Sequence, residues 1–125
     1  YSFRGATSVL DRLNINGGTA GVPTWEVVTY QPSLVTFATG VGSIWDSGTS
    51  KIYVAKEGTA AIPQRVYAFD VVGNTMEAVA ADWYLGGAAV LGNKLWLRKL
   101  STTGLVKWLY CLQSTSTNLR RIMLF

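Results

Sequence analysis

Short segments in which hydrophobic and polar residues alternate run along most of the chain, and this pattern predicts β-strands. The alternation is clearest in residues 24–30, which follow a turn signal at Asn16-Gly17-Gly18. Helix is expected only as isolated turns: residues 76–83 could form one turn, but Val79 and the repeat described below favour a strand there. The predicted strands cover residues 9–15, 24–30, 34–38, 52–55, 66–71, 75–79, 88–91, 95–97, 105–112 and 119–125.

The hydrophobic pattern of the second half repeats at an offset of 43 residues. Residues 51–56 align with 94–99, and residues 66–69 align with 109–112 without a change of offset. A period of about 40–50 residues with short strands is typical of a propeller blade, which buries its faces by stacking on neighbouring blades. The repeat predicts that three pairs occupy equivalent buried positions between sheets, namely Ile52/Leu95, Tyr67/Tyr110 and Met76/Leu119.

The predicted fold is therefore all-β, with antiparallel four-stranded blades in an incomplete β-propeller of about two and a half blades. Residues 1–125 form one unit, divided into half a blade at about 8–30, a blade at about 33–82 and a blade at about 83–125. A closed propeller has at least four blades. We therefore expect the end blades to be covered by another chain. Because the first residue is Tyr, we also expect a processed chain or a part of a longer one.

One hairpin carries a resemblance to a known repeat family. Residues 69–76, Phe-Asp-Val-Val-Gly-Asn-Thr-Met, resemble the outer hairpin of a kelch-type blade, and residues 86–97 resemble the inner hairpin of the next blade. Kelch blades have a double glycine where this chain has Lys56-Glu57 and Arg98-Lys99. The resemblance is thus to propeller repeats in general, with kelch as the nearest relative. Residues 87–93, Gly-Ala-Ala-Val-Leu-Gly-Asn, and the C-terminal hairpin also resemble propeller-like structural proteins of tailed bacteriophages.

The charges are unevenly distributed along the chain. Residues 94–125 contain six Lys and Arg and no acid, whereas residues 1–93 contain five basic and seven acidic residues. Solvated basic strand edges, which discourage unwanted pairing, are the first interpretation of this asymmetry, and a surface directed at an acidic neighbouring subunit is the second. Nucleic acid and lipid are less favoured partners, and no apolar run is long enough to span a membrane. The candidate partner contacts are Lys94, Arg98, Lys99, Arg120 and Arg121.

Residues suited to catalysis or metal binding are scarce. The chain has no His and a single cysteine, Cys111, which alternation places among apolar residues and which we expect to be a buried small hydrophobe. Asp70 precedes a turn, where its side chain can accept backbone N–H groups. Asp70 and Glu77 are the only carboxylate pair worth considering for glycoside hydrolysis, and they lie on opposite arms of one hairpin. We therefore expect neither an enzyme nor a cofactor.

The sequence thus favours a structural and interaction protein, a propeller-like component of a multi-subunit particle such as the capsid or tail of a phage virion. Its partners would be other protein subunits, in a homo- or hetero-oligomer. The alternative is a carbohydrate- or peptide-binding propeller module. Aromatic residues bear on this choice because sugars stack on them, but packing between blades is the expected role of Trp25, Tyr53, Trp96 and Trp108.

Overall fold

The computed structural model of the protein describes residues 1–4, 9–15, 22–30, 37, 42–56, 65–79, 94–103, 106–112 and 119–125. These residues form β-strands and turns, and no helix occurs among them. The strands are β1 (Ser2–Phe3), β2 (Val9–Asn14), β3 (Thr24–Thr29), β4 (Ser43–Asp46), β5 (Lys51–Lys56), β6 (Arg65–Asp70), β7 (Thr75–Ala78), β8 (Lys94–Lys99), β9 (Lys107–Leu112) and β10 (Leu119–Leu124).

The described strands form three antiparallel sheets. The first sheet has the order β1-β2-β3, the second β4-β5-β6-β7 and the third β8-β9-β10. The prediction of an all-β fold with antiparallel sheets is therefore confirmed, with three or four strands in each sheet among the described residues. The strands β1 and β4 were not predicted. The strand predicted at 88–91 and the turns at 16–18 and 92–93 lie outside the described residues, as does all of 34–38 except Phe37.

Two turns of the second sheet are held by an aspartate at the end of the preceding strand. Asp46 accepts hydrogen bonds from the Gly48 backbone N–H and the Thr49 hydroxyl. Asp70 accepts them from the backbone N–H groups of Val72 and Gly73, which confirms its predicted role. Each turn ends in a residue with φ of 53°, Ser50 and Asn74, respectively. These side-chain bonds compensate in part for a left-handed conformation that non-glycine residues rarely adopt.

The second sheet lies between the other two and packs on both. We call its contact with the first sheet the first interface, where Leu10 and Val28 pack with Ile52, Val54 and Phe69. Its contact with the third sheet is the second interface, where the opposite side chains of β5 and β6 pack on β8 and β9. The members of that cluster are Tyr53, Ala55, Val66, Ala68, Leu95, Leu109 and Cys111. The sheets thus stack in chain order, and the central strands β5 and β6 of the second sheet are buried on both faces.

The offset of 43 residues relates equivalent side chains in the first strand of the repeat, β5 and β8, but not in the strands that follow. Ile52 and Leu95 are buried, and each faces the preceding sheet, as predicted for equivalent positions. However, Ile52 pairs with Phe69, whereas Leu95 pairs with Cys111 rather than with Leu112. A shift of one residue moves side chains to the other face of a sheet.

The other two predicted equivalences are therefore wrong. Tyr67 packs at the first interface, facing the preceding sheet, whereas Tyr110 lies on the face of the third sheet that points away from the second. Met76 is 3% exposed and Leu119 is 53% exposed. The strands correspond, but the side chains at a constant offset of 43 do not.

Candidate functional site

One face of the third sheet has no neighbouring sheet among the described residues. Because neighbouring residues of a strand point to opposite faces, the residues that alternate with buried Leu95, Leu109 and Cys111 lie on it. We call this surface the outer face of the third sheet. It consists of Lys94, Trp96 and Arg98 from β8, Trp108, Tyr110 and Leu112 from β9, and Leu119, Arg121 and Met123 from β10.

Aromatic rings at the centre of this face are held by contacts with neighbouring side chains. Trp96 and Tyr110 form a cross-strand pair, with ring centroids 5.2 Å apart and an interplanar angle of 3°. The guanidinium carbon of Arg121 lies 4.4 Å from the centroid of the Trp108 ring, a cation–π contact. Trp96 and Leu112 remain 38% and 39% exposed. The face is therefore an ordered surface of aromatic and apolar groups that is still open to solvent.

The same face is strongly positive. Lys94, Arg98 and Arg121 are exposed on it, and residues 94–125 contain no acid. Of the five predicted contact residues, these three are thus brought together. The other two, Lys99 and Arg120, are exposed on the opposite side of the sheet, in register with Lys107 and Cys111.

The first sheet also has an outer face, on the side opposite to the first interface. It carries Leu13, Trp25 and Val27, which are 39%, 63% and 59% exposed. Asp11 lies on this face and forms a salt bridge with Arg4 at 2.7 Å. The predicted packing role of the aromatic residues therefore holds for Tyr53, which is buried at the second interface, whereas Trp25, Trp96 and Trp108 lie on the two outer faces.

A buried ion pair crosses the second interface. The Lys107 ammonium group donates to the Asp46 carboxylate, and each side chain is 1% exposed. Burial by itself raises the pKa of Asp46, but hydrogen bonds from Lys107, Thr49 and Gly48 outweigh it, so that the pKa lies below its ordinary value. Sequence reasoning missed this pair. The signal was present in β9, because Lys107 falls in the same alternation as the buried Leu109 and Cys111.

The three side chains considered for catalysis are buried or engaged in contacts, namely Cys111, Asp70 and Glu77. Cys111 is fully buried as predicted, and burial raises the pKa of its thiol to about 11. The carboxylate of Asp70 is committed to its turn, whose backbone N–H groups lower its pKa, and Glu77 forms a salt bridge with Lys51. A general acid needs a raised pKa instead. Within the described residues no group of three or more possible ligands could hold a metal ion.

Comparisons with known proteins give no relative. No family model matches the chain, and neither a curated protein nor a solved structure matches it. In the part of the chain that the structure describes, there is no helix with the length and hydrophobicity needed to cross a membrane.

Proposed function

We propose that this protein is a structural and interaction protein, a propeller-like component of a multi-subunit particle, and that it binds a neighbouring subunit through the outer face of the third sheet. The observation that carries the proposal is the composition of that face. It combines an aromatic centre with three exposed cations on a sheet whose own strands contain no acid. Aromatic residues and Arg are the types enriched where protein interfaces bind most strongly.

The stacking of the sheets supports a propeller-like unit. Blades of a propeller pack face to face in chain order, and the three described sheets do the same, with the central strands of the second buried on both faces. Part of the exposed apolar surface, including Trp25, Val27, Trp96 and Leu112, lies on the two end faces of the stack, whereas Trp45 and Val72 are exposed on the second sheet. Exposed apolar surface that is rimmed by charges is typical of interaction sites. A virion of a tailed phage is the particle that the sequence resemblance favours, and the protein would then be located in its capsid or tail.

The test measures assembly in purified protein by sedimentation velocity at low and high salt. Because salt screens exposed charges, we expect high salt to weaken assembly of the parent. The double variant Arg98→Glu/Arg121→Glu should weaken it further. The matched control is Lys99→Glu/Arg120→Glu, which changes the same charge on the same sheet but on its opposite side. An equal effect of both double variants would show that net charge, and not this face, controls assembly.

A carbohydrate-binding module is the second candidate function, and it is favoured by the exposure of Trp25 and Trp96 on open sheet faces. Sugars stack on exposed aromatic rings of this kind. A parent protein that is a monomer at all salt concentrations, and that a glycan array retains through Trp25 or Trp96, would contradict the assembly proposal. The variants Trp25→Ala and Trp96→Ala would then identify the ring that binds the sugar.

A further inference from the structure

The two outer faces are opposite ends of one stacking arrangement. Each sheet has one face on the side of the preceding sheet in the chain, called here its preceding-side face, and one on the side of the next sheet, called its following-side face. In the first interface, the following-side face of the first sheet packs on the preceding-side face of the second. In the second interface, the second and third sheets repeat this order. The outer face of the first sheet is therefore a preceding-side face, and that of the third sheet is a following-side face. If the outer face of the third sheet packed on the outer face of the first sheet of another copy, the stack would continue in the same order.

We infer that the outer face of the third sheet packs on the outer face of the first sheet of a second copy of this chain, in a head-to-tail contact. This inference rests on the proposed function and identifies the neighbouring subunit as a second copy of the chain. It extends the interface that already joins consecutive sheets within the chain. A contact of this type is heterologous, since it joins two different surfaces.

Charge favours this pairing over a contact between two identical third sheets. An isologous contact would place Lys94, Arg98 and Arg121 of one copy against the same three cations of the other, with no acid from either third sheet. Like charges that face each other oppose association. The outer face of the first sheet instead offers the exposed apolar side chains of Leu13, Trp25 and Val27 beside the Arg4–Asp11 ion pair, whose two charges balance.

The aromatic groups of the two faces suit each other. The Trp25 side chain is 63% exposed and presents an indole ring to an incoming cation. Within the chain, Arg121 already packs over the Trp108 ring at 4.4 Å. The same cation–π chemistry would place Lys94 or Arg98 of one copy over Trp25 of the other. The apolar Val27 and Leu13 would then cover the exposed edge of the Trp96–Tyr110 pair.

The number of sheets sets the expected number of copies. Closed propellers typically have about four to eight blades, and two copies bring six sheets from the described residues. Three copies would exceed that range. A heterologous contact forms a ring if its rotation closes and a filament if it does not. We therefore expect a dimer in which both head-to-tail contacts are made.

The experiment uses two variants that each remove one face. Trp25→Glu disables the outer face of the first sheet, and Arg98→Glu/Arg121→Glu disables that of the third. Native mass spectrometry should show a dimer for the parent and monomers for each variant alone. An equimolar mixture of the two variants should restore a heterodimer, because one intact face of each kind remains. Circular dichroism of each variant checks that the β-fold is kept, as expected for exposed positions.

The outcomes separate this inference from the function on which it rests. If Trp25→Glu leaves the dimer intact while the third-sheet variant dissolves it, the third sheet is still an assembly surface and the head-to-tail contact is overturned. If the parent forms species larger than a dimer as its concentration rises, the head-to-tail contact is supported, but the closed ring of two copies is overturned. A parent that is a salt-indifferent monomer would overturn the inference and the proposed function together.

Discussion

The first and second interfaces each join consecutive sheets of the stack, but they differ in chemistry. Aromatic rings dominate the first interface, where Phe3, Tyr30, Phe37 and Phe69 form a cluster of edge-to-face or tilted contacts at centroid distances of 5.2–6.5 Å. The second interface is built from small side chains such as Ala55, Ala68 and Cys111 and contains the Asp46–Lys107 ion pair. The first interface contains ring packing and a cation–π contact of Lys56 over Phe37 at 5.9 Å, whereas the second contains a buried pair of opposite charges.

This difference explains the register shift in the third sheet. With a constant offset of 43, Trp108 and Tyr110 would point into the second interface and Lys107 would point away. Two large rings would then face the small side chains of Ala55 and Ala68, and Asp46 would be buried without a cation. Burying an unpaired charge is costly. The observed register places Lys107 on Asp46 and leaves the rings on the outer face.

Removing the lysine should have the largest effect. In Lys107→Met the Asp46 carboxylate would stay buried without its cation, and breaking a buried pair in this way costs about 3–5 kcal/mol. We expect that loss in the free energy of unfolding, measured by urea denaturation. The double variant Asp46→Asn/Lys107→Met should recover much of it, because an amide oxygen can still accept bonds in the turn while no charge is buried. Equal losses in the single and double variants would show that the pair does not act through charge.

The second prediction tests the register. Leu95 is 8% exposed at the second interface, so Leu95→Ala should lower the free energy of unfolding by about 2–5 kcal/mol. Leu119 is 53% exposed on the outer face of the third sheet, and Leu119→Ala should change it by about 0.5 kcal/mol or less in the monomer. The measurement is denaturation in high salt, where assembly is weakest. Similar large losses at both positions would restore the constant-offset repeat.

The sequence predicted the strands better than their faces. Alternation located β2, β3 and β8 to within a few residues, because period-two patterns report local backbone structure directly. It missed β4, which is only four residues long. It also misplaced Tyr110 and Leu119, because pairing register depends on contacts that are distant in sequence.

The sequence predicted that the candidate site is positively charged, but it did not predict which residues share the outer face of the third sheet. The absence of acids in residues 94–125 indicated a basic surface. Which cations share a face follows from the register, and the register depends on a contact between residues that are 61 positions apart, Asp46 and Lys107. No local pattern reports such a partner. The alternation of Lys107 with Leu109 and Cys111 indicates only that Lys107 lies on the buried side of β9, not which acid it meets.

The smallest expected effect is a loss of stability at low pH, and we expect it to act on the second interface and not on the first. Asp46 has a lowered pKa in the folded protein, so its stabilising contribution is full above the ordinary value of 3.8 and is lost as the pH falls through the folded-state pKa. Protonation leaves a neutral carboxyl that still bonds within the turn, so the loss should be less than in Lys107→Met. Among the described residues, Asp46 and Lys107 are the only buried charged side chains, and neither lies at the first interface.

The measurement is the difference in the free energy of unfolding between the parent and Asp46→Asn across that pH range. The difference should shrink as the pH falls below 3.8, because protonation of the parent removes the charge that the variant lacks. Asp11 and Glu26 also have lowered pKa values, from hydrogen bonds with Arg4 and with Asn14 and Arg12, but they are exposed or half-buried. High salt should therefore weaken their share of the acid effect and spare that of Asp46. A parent–variant difference that is constant with pH would mean that the Asp46 charge does not stabilise the second interface.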